Sequence, residues 1–426
     1  MSTTKKSSTT PAIVAMFLLF FMIAFVTNFA GSMGVIVKNQ FLGDSASAKA
    51  LSQLGSLANF IAYACMGIPA GIILKRKGYK FTALAAVIVG FVGVGIQWLA
   101  GPMESFAVYV AGAFVAGFSM CMLNIVVNPM LNTLGGGGNK GNQLIQLGGS
   151  CNSIGGTLAP VILGYLIGGS VETASVSDAA PAMAIAMAIF ALAALIIALT
   201  NIPEPHMETA EEKAARKAGK VEKDPHGPLS FRHFVLGAVA IFFYVGIEVG
   251  VPNTANVYFS GLDWVGPALT GVMIGAYWFC MMLGRLGGGA IGAKVSSKTM
   301  LSVTSAVAIL LTLGVIFVPE TLTVNLFGKV LPLALIFVML CGLCTSVMWG
   351  AIFNLATEGL GKYTAMASGI FMTLVCGGGI IPFLQGAIAD KAGSIQSYWL
   401  IVFCLAYLLF YALVGSKNVN KDIKVD

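Results

Sequence analysis

Twelve long apolar stretches leave this chain few folds to choose from. They run over about 11–37, 51–74, 81–101, 106–134, 143–168, 180–200, 233–260, 265–293, 299–318, 330–357, 363–388 and 396–415. A helix rises about 1.5 Å per residue, so about 20 apolar residues cross a hydrocarbon core about 30 Å thick. Each stretch is long enough. Of the 426 residues, 57% are apolar and 10% charged, against about 25% charged in a soluble domain. A cytosolic enzyme, a secreted disulfide scaffold, a coiled coil and a disordered chain are all excluded by that balance. The expected fold class is an all-α polytopic membrane protein with twelve transmembrane helices. The first stretch is too long for the roughly 7–15-residue core of a cleaved signal peptide, so it reads as a retained helix.

One polar segment interrupts the series. Residues 201–231 carry charges of both signs and are bounded by Pro203, Pro205, Pro225 and Pro228. The middle, Thr209–Lys223, suits a surface helix with an i,i+4 pair such as Glu212–Arg216. The segment divides the chain into an N-terminal six-helix bundle (1–200), a cytoplasmic linker (201–231) and a C-terminal six-helix bundle (232–426). Basic residues sit in the short loops and supply an orientation. With both termini inside, 20 of the 24 Lys and Arg are cytoplasmic, and only Lys38, Lys49, Lys329 and Lys391 lie outside. The formal charge of +7 therefore reads as topology, and no nucleic-acid partner is expected.

The eight cysteines all lie inside apolar stretches and read as small core residues rather than a disulfide or metal framework. HExxH, nucleophile-elbow and P-loop motifs are absent, so no enzyme, metal or cofactor is expected. Glycine is abundant at 52 residues and clusters within the spans. Small residues let helices pack closely, either as fixed contacts or as surfaces that slide.

The polar residues that enter the membrane are mostly carboxamides. They include Asn28, Asn124, Asn128, Asn152, Asn253 and Asn256. A carboxamide both donates and accepts, which matches a sugar hydroxyl. Asn124 and Asn128 share one helix face, Asn152 lies at similar depth, and the three are expected to converge on one polar site between the halves. Each could instead serve only as an interhelical hydrogen bond. Tyr63, Tyr277, Trp278 and Trp349 lie well inside spans and offer flat apolar faces. Glu248 is the single acid that falls clearly mid-span, with no mid-span cation in view. It could handle a proton, a cation or substrate, or lock the second half as a buried acid. Arg285, near the inner end of span 8, is expected to pack at the cytoplasmic gate, with Lys75 and Arg76 in the loop between spans 2 and 3.

Several strings carry a family resemblance. GIILKRKGYK (Gly71–Lys80) is similar to the loop signature of the major facilitator superfamily, with Lys75 where an acid is usual. That variant resembles the fucose–galactose–glucose:proton symporter family. So do LNIVVNPMLNTLG (Leu123–Gly135), GGSCNSIGGTLAP (Gly148–Pro160), YVGIEVG (Tyr244–Gly250), EGLGKYTAMASGI (Glu358–Ile370) and GGGIIPFLQGAIAD (Gly377–Asp390). The resemblance implies the major facilitator fold and alternating-access import of a hexose or deoxyhexose, commonly with a proton. It makes Asn124, Asn128 and Asn152 the first-half sugar contacts. The fucose-transporting branch has acids in spans 1 and 4; Asn28 and Asn124 stand in those regions here. Coupling then falls to Glu248 or to another cation such as Na⁺, or the protein is a uniporter.

The expectation is a monomeric sugar transporter in a lipid bilayer, by family resemblance a bacterial inner membrane. A carrier of another small polar or amphipathic solute, and a sugar sensor that does not transport, are the competing readings.

Overall fold

A computed structural model describes residues 9–37, 40–41, 54–167, 175–217, 225–326 and 328–425. The first half holds α1 (Thr10–Val37), α2 (Leu54–Leu99), α3 (Phe106–Leu134), α4 (Gly138–Ile167) and α5 (Ala180–Leu199). A short helix, α6 (Ala210–Lys217), lies in the linker. The second half holds α7 (Arg232–Ser260), α8 (Gly266–Ile291), α9 (Ser297–Phe317), α10 (Leu333–Thr345), α11 (Met348–Thr357), α12 (Thr364–Thr373), α13 (Gly377–Ala392) and α14 (Tyr398–Phe410).

Among the described residues, ten segments are long and apolar enough to cross a membrane. One of them, Leu57–Leu99, is 43 residues long and holds two crossings. Gly78 breaks it with φ 86°, ψ 177°, a backbone that a Cβ disfavours. The twelfth crossing is α4, whose Gln143, Gln146, Asn152 and Ser153 dilute its apolar character. α10 with α11, and α12 with α13, each form one broken span.

Local chemistry sets the helix ends. The Ser105 and Ser296 hydroxyls accept from the backbone N–H of Val108 and Thr299, at 3.4 and 3.1 Å, and so cap α3 and α9. Pro181 and Pro267 occupy first turns, where a missing N–H costs nothing. On α9, Val303, Val307, Leu310 and Phe317 form an exposed apolar stripe, as a lipid-facing helix requires.

A two-stranded antiparallel hairpin joins α9 to α10. β1 (Thr323–Leu326) pairs with β2 (Lys329–Pro332) in register Thr323↔Pro332. The stretch expected to begin a span at 330 therefore spends its first residues as strand, and α10 starts at Leu333. The linker helix is described over Ala210–Lys217, and the rest of the expected helix lies outside the described residues. At its start the Glu212 carboxylate turns back to accept from the Thr209 N–H at 2.7 Å as a capping box. The Arg216 side chain, Lys220 and Lys223 lie outside the described residues, as do Lys5, Lys6, Lys38 and Lys49.

The linker's leading end is pinned to the first half. The Glu204 carboxylate accepts from the backbone N–H of Tyr79 and, at 2.9 Å, of Lys80. It thereby caps the helix that restarts after Gly78. Lys80 Nζ donates to the carbonyls of Ala198 and Thr200 at 2.7 and 3.0 Å and caps the far end of α5. The Glu208 N–H bonds the Lys75 carbonyl at 2.7 Å.

The halves meet along α2–α12 and α4–α8, closely at the end that carries Lys75 and Lys140. A Cβ on Gly71 would lie 3.0 Å from Gly369 Cα, and one on Gly369 would lie 2.6 Å from the Gly67 carbonyl oxygen. Only glycine allows backbones so near.

Candidate functional site

Asn124 and Asn128 do face one way, and the structure joins them. Asn124 Nδ2 donates to the Tyr63 hydroxyl at 2.9 Å and to the Met120 carbonyl at 3.1 Å. Asn128 Nδ2 donates to the Asn124 carbonyl at 2.9 Å and approaches Asn124 Oδ1 at 3.3 Å. The acceptor end of Asn128 is met from the other half, where Trp349 Nε1 donates to Asn128 Oδ1 at 2.9 Å. The indole leans on Tyr244 and Phe371, each with ring centroids 6.2 Å away. Tyr63, Asn124, Asn128 and Trp349 thus form one uncharged network across the two bundles.

Asn152 joins a second group. Its Nδ2 donates to the Phe20 carbonyl at 2.9 Å, and its Oδ1 accepts from Arg285 Nη1 at 3.2 Å. Arg285 Nη1 also approaches the Gly149 carbonyl at 3.1 Å and the Ser153 hydroxyl at 3.0 Å. Arg285 Nη2 bonds Glu248 Oε1 at 3.1 Å. Glu248, for which the sequence offered no mid-span cation, is thus partnered by a cation from the neighbouring helix. Arg285 sits low on α8, but side chains tilt towards a helix's N-terminus. For α8 that direction leads into the membrane, where Glu248 lies. The pair is nearly enclosed, with side chains 10% and 16% exposed. Stranding one buried partner of such a pair costs about 3–5 kcal/mol.

Proline shapes the same place. Pro252 lacks the N–H that would reach the Glu248 carbonyl. The Tyr277 hydroxyl donates to that carbonyl at 3.1 Å and lies 3.3 Å from Thr345 Oγ1. Tyr244, one turn before Glu248, is fully buried and its hydroxyl lies beside the Glu248–Arg285 pair. Tyr244 therefore lies between the two groups, with its ring on Trp349 and its hydroxyl near the ion pair but not hydrogen-bonded to it.

Of the remaining expected residues, Asn253, Trp278, Lys75 and Arg76 do not enter either network. Asn28 is exposed and its Nδ2 bonds the Ala24 carbonyl at 2.9 Å. Asn253 and Asn256 are exposed on α7. Trp278 is part-exposed against Tyr277, with centroids 5.2 Å apart. Lys75 and Arg76 lie at the linker end, with Arg76 exposed. The expected single convergence of Asn124, Asn128 and Asn152 is instead two groups, because the pair on α3 faces Trp349 and Asn152 on α4 faces Arg285.

Sequence reasoning missed Tyr244, Ser153, Gln143 and Gln146. Gln143 Nε2 donates to the Gly289 carbonyl at 2.9 Å, and Gln146 Nε2 to the Val347 carbonyl at 2.8 Å. The signals were present: Tyr244 is four before Glu248, and Gln143, Gln146 and Gly149 are three apart along α4.

This arrangement can offer donors and acceptors to an uncharged polar solute, and it joins two bundles that would have to separate. Comparisons with known proteins agree with that architecture. The family model described as Major Facilitator Superfamily matches residues 15–383. A glucose/galactose transporter of Brucella abortus is 31% identical over 409 residues, covering 96% of this chain and 94% of that protein. The L-fucose-proton symporter of Escherichia coli is 25% identical over 390 residues, covering 85% and 84%. A crystal structure titled as the transporter FucP in the outward conformation superposes with a TM-score of 0.77 at 20% identity, covering 96% and 99%, which shows a shared fold. With its twelve spans, its two halves and these matches, the chain belongs to the major facilitator superfamily, a family of transporters rather than enzymes.

Proposed function

We propose that this protein imports a monosaccharide, a hexose or deoxyhexose, across a bacterial inner membrane by alternating access of its two bundles. Both termini and the linker face the cytoplasm, and the protein acts as a monomer. The observation that carries this reading is the network of Tyr63, Asn124, Asn128 and Trp349, which is uncharged and bridges the halves. A sugar presents hydroxyls that donate and accept, which carboxamides match, and C–H faces that suit an indole. An organic anion would need a free cation at this depth, and Arg285 is already committed to Glu248. The names of the glucose/galactose and fucose relatives support the same substrate class.

Glu248 is the candidate for coupling, by taking a proton or accommodating Na⁺. Arg285 and the Lys75–Arg76 loop are candidates for gating. A second reading has a specific observation behind it: Arg285 already neutralises Glu248, so a uniporter needs no further ion there.

Counterflow in liposomes carrying the purified protein tests the function. D-glucose, D-galactose and L-fucose are offered with and without pH and Na⁺ gradients. Saturable exchange of at least one is expected. Binding without exchange would make the protein a sensor, and indifference to all three sugars would reject the substrate class.

A further inference from the structure

Asn128 is anchored in its own bundle and closed by the other. Its donor end bonds the Asn124 carbonyl at 2.9 Å, while its acceptor oxygen takes the Trp349 N–H at 2.9 Å. Asn152 repeats the design. Its donor end bonds the Phe20 carbonyl at 2.9 Å and its acceptor oxygen takes an Arg285 N–H at 3.2 Å. In both, an N–H of the second half stands where an incoming hydroxyl would donate. Asn128 is fully buried, so an open acceptor there would go unpaired, which is costly. The Trp349 side chain is only half-buried and rests edge-to-face on Tyr244 and Phe371, so it is held by ring contacts as well as by its single N–H.

We propose that Trp349 is an internal competitor of the sugar: its indole N–H occupies the Asn128 acceptor in the empty protein, and the sugar must displace it. This inference rests on the monosaccharide reading above. Displacement exchanges one hydrogen bond to Asn128 for another of similar strength, so it costs little at the carboxamide. What it removes is a direct bond between the two bundles. Arrival of substrate and loosening of the closed interface are then the same event, with no ion required for that step. Arg285 differs in one respect. Its Nη1 has two hydrogens and three acceptors within 3.2 Å, so it can yield Asn152 and still bond Gly149 and Ser153. Trp349, with one donor, has no such reserve, and it is the residue whose loss is felt.

Trp349→Phe is the test, because it keeps an aromatic face and deletes only the N–H. The full chain in detergent is titrated with D-glucose, D-galactose and L-fucose by calorimetry, and tryptophan emission is followed in parallel. Sugar affinity in the variant is expected to rise about three- to tenfold, the range a single net hydrogen bond supports. A sugar-induced shift in emission is expected in the native protein and should be absent from the variant. A general loss of structure would weaken binding, so tightening reports competition alone. Weaker binding would make the indole N–H a donor to the sugar and overturn the proposal, and so would unchanged affinity. Should the native protein bind none of the three sugars, the monosaccharide reading fails first. Should it bind them without tightening in the variant, only the competitor role is lost.

Discussion

Arg285 holds Glu248 at 3.1 Å within the second bundle and reaches Asn152 of the first at 3.2 Å with its other terminal nitrogen. One guanidinium thus satisfies a buried acid and fastens two domains that transport must separate. The pair is expensive to leave half-made, and that asymmetry governs how variants behave.

Arg285→Ala leaves Glu248 without its counter-ion and is expected to destabilise the protein by about 3–5 kcal/mol. Glu248→Gln keeps the shape and a hydrogen-bond acceptor for Arg285, and should melt closer to the native protein. Melting in detergent ranks the two. The transport half of the experiment uses Glu248→Gln alone. If Glu248 carries the proton, pH-driven accumulation disappears while sugar exchange survives, and unchanged accumulation would remove Glu248 from coupling.

Asn128→Ala removes the acceptor of Trp349 Nε1 and the partner of Asn124. Uptake of the transported sugar into liposomes should fall at least tenfold. Leaving the indole unpaired should cost about 1–3 kcal/mol of stability. Asn124→Ala is expected to act in the same direction, since it also frees the Tyr63 hydroxyl. Native uptake in both variants would take the pair out of the substrate path.

Gly78→Ala forces a Cβ into a backbone with φ 86° and within 2.3 Å of Glu204 Oε2. The backbone strain alone is about 1–3 kcal/mol, and the displaced Glu204 also releases its cap on Tyr79 and Lys80. Glu204→Ala removes only the cap, worth about 0.5–2 kcal/mol. Thermal melts should place Gly78→Ala below Glu204→Ala, and the reverse order would mean that the cap matters more than the backbone.

His206 makes the linker's docking sensitive to pH. Its Nδ1 lies 2.5 Å from the Tyr79 hydroxyl, and burial pushes its pKa below the ordinary value of 6.5. The docked linker therefore resists the proton that the released linker accepts. Docking is strongest above pH 6.5, weakens as pH falls below that value, and has lost this contribution once pH is below the lowered, docked value. Protection of the 204–208 amides, corrected for the intrinsic exchange rate at each pH, should fall as pH drops from 7.5 to 5.5, and His206→Gln should flatten the profile. A native protein whose exchange in this segment follows only the intrinsic chemical rate would contradict the assignment.

The crossings were legible because lipid imposes a length and a polarity on every span, and both are one-dimensional. Span 5 shows the limit of that rule. α4 carries Gln143, Gln146 and Asn152, and it was readable as spanning because no charge interrupts its apolar residues. The i,i+4 spacing of Asn124 and Asn128 foretold a shared face, and the same spacing could have added Tyr244 to Glu248. The hairpin at 323–332 was not foreseen, since its apolar residues read equally as the start of a helix.

Sequence alone determined which segments cross the lipid, where the chain turns back, and that carboxamides outnumber charges in the membrane interior, because hydrophobic burial depends on composition along a segment. Partnership was decided only by the tertiary structure. Glu248 and Arg285 are 37 residues apart, and Trp349 and Asn128 are 221 apart. No periodicity connects such positions. The angle at which helices cross, the direction in which each side chain tilts and the proline that frees a carbonyl together select which donor meets which acceptor.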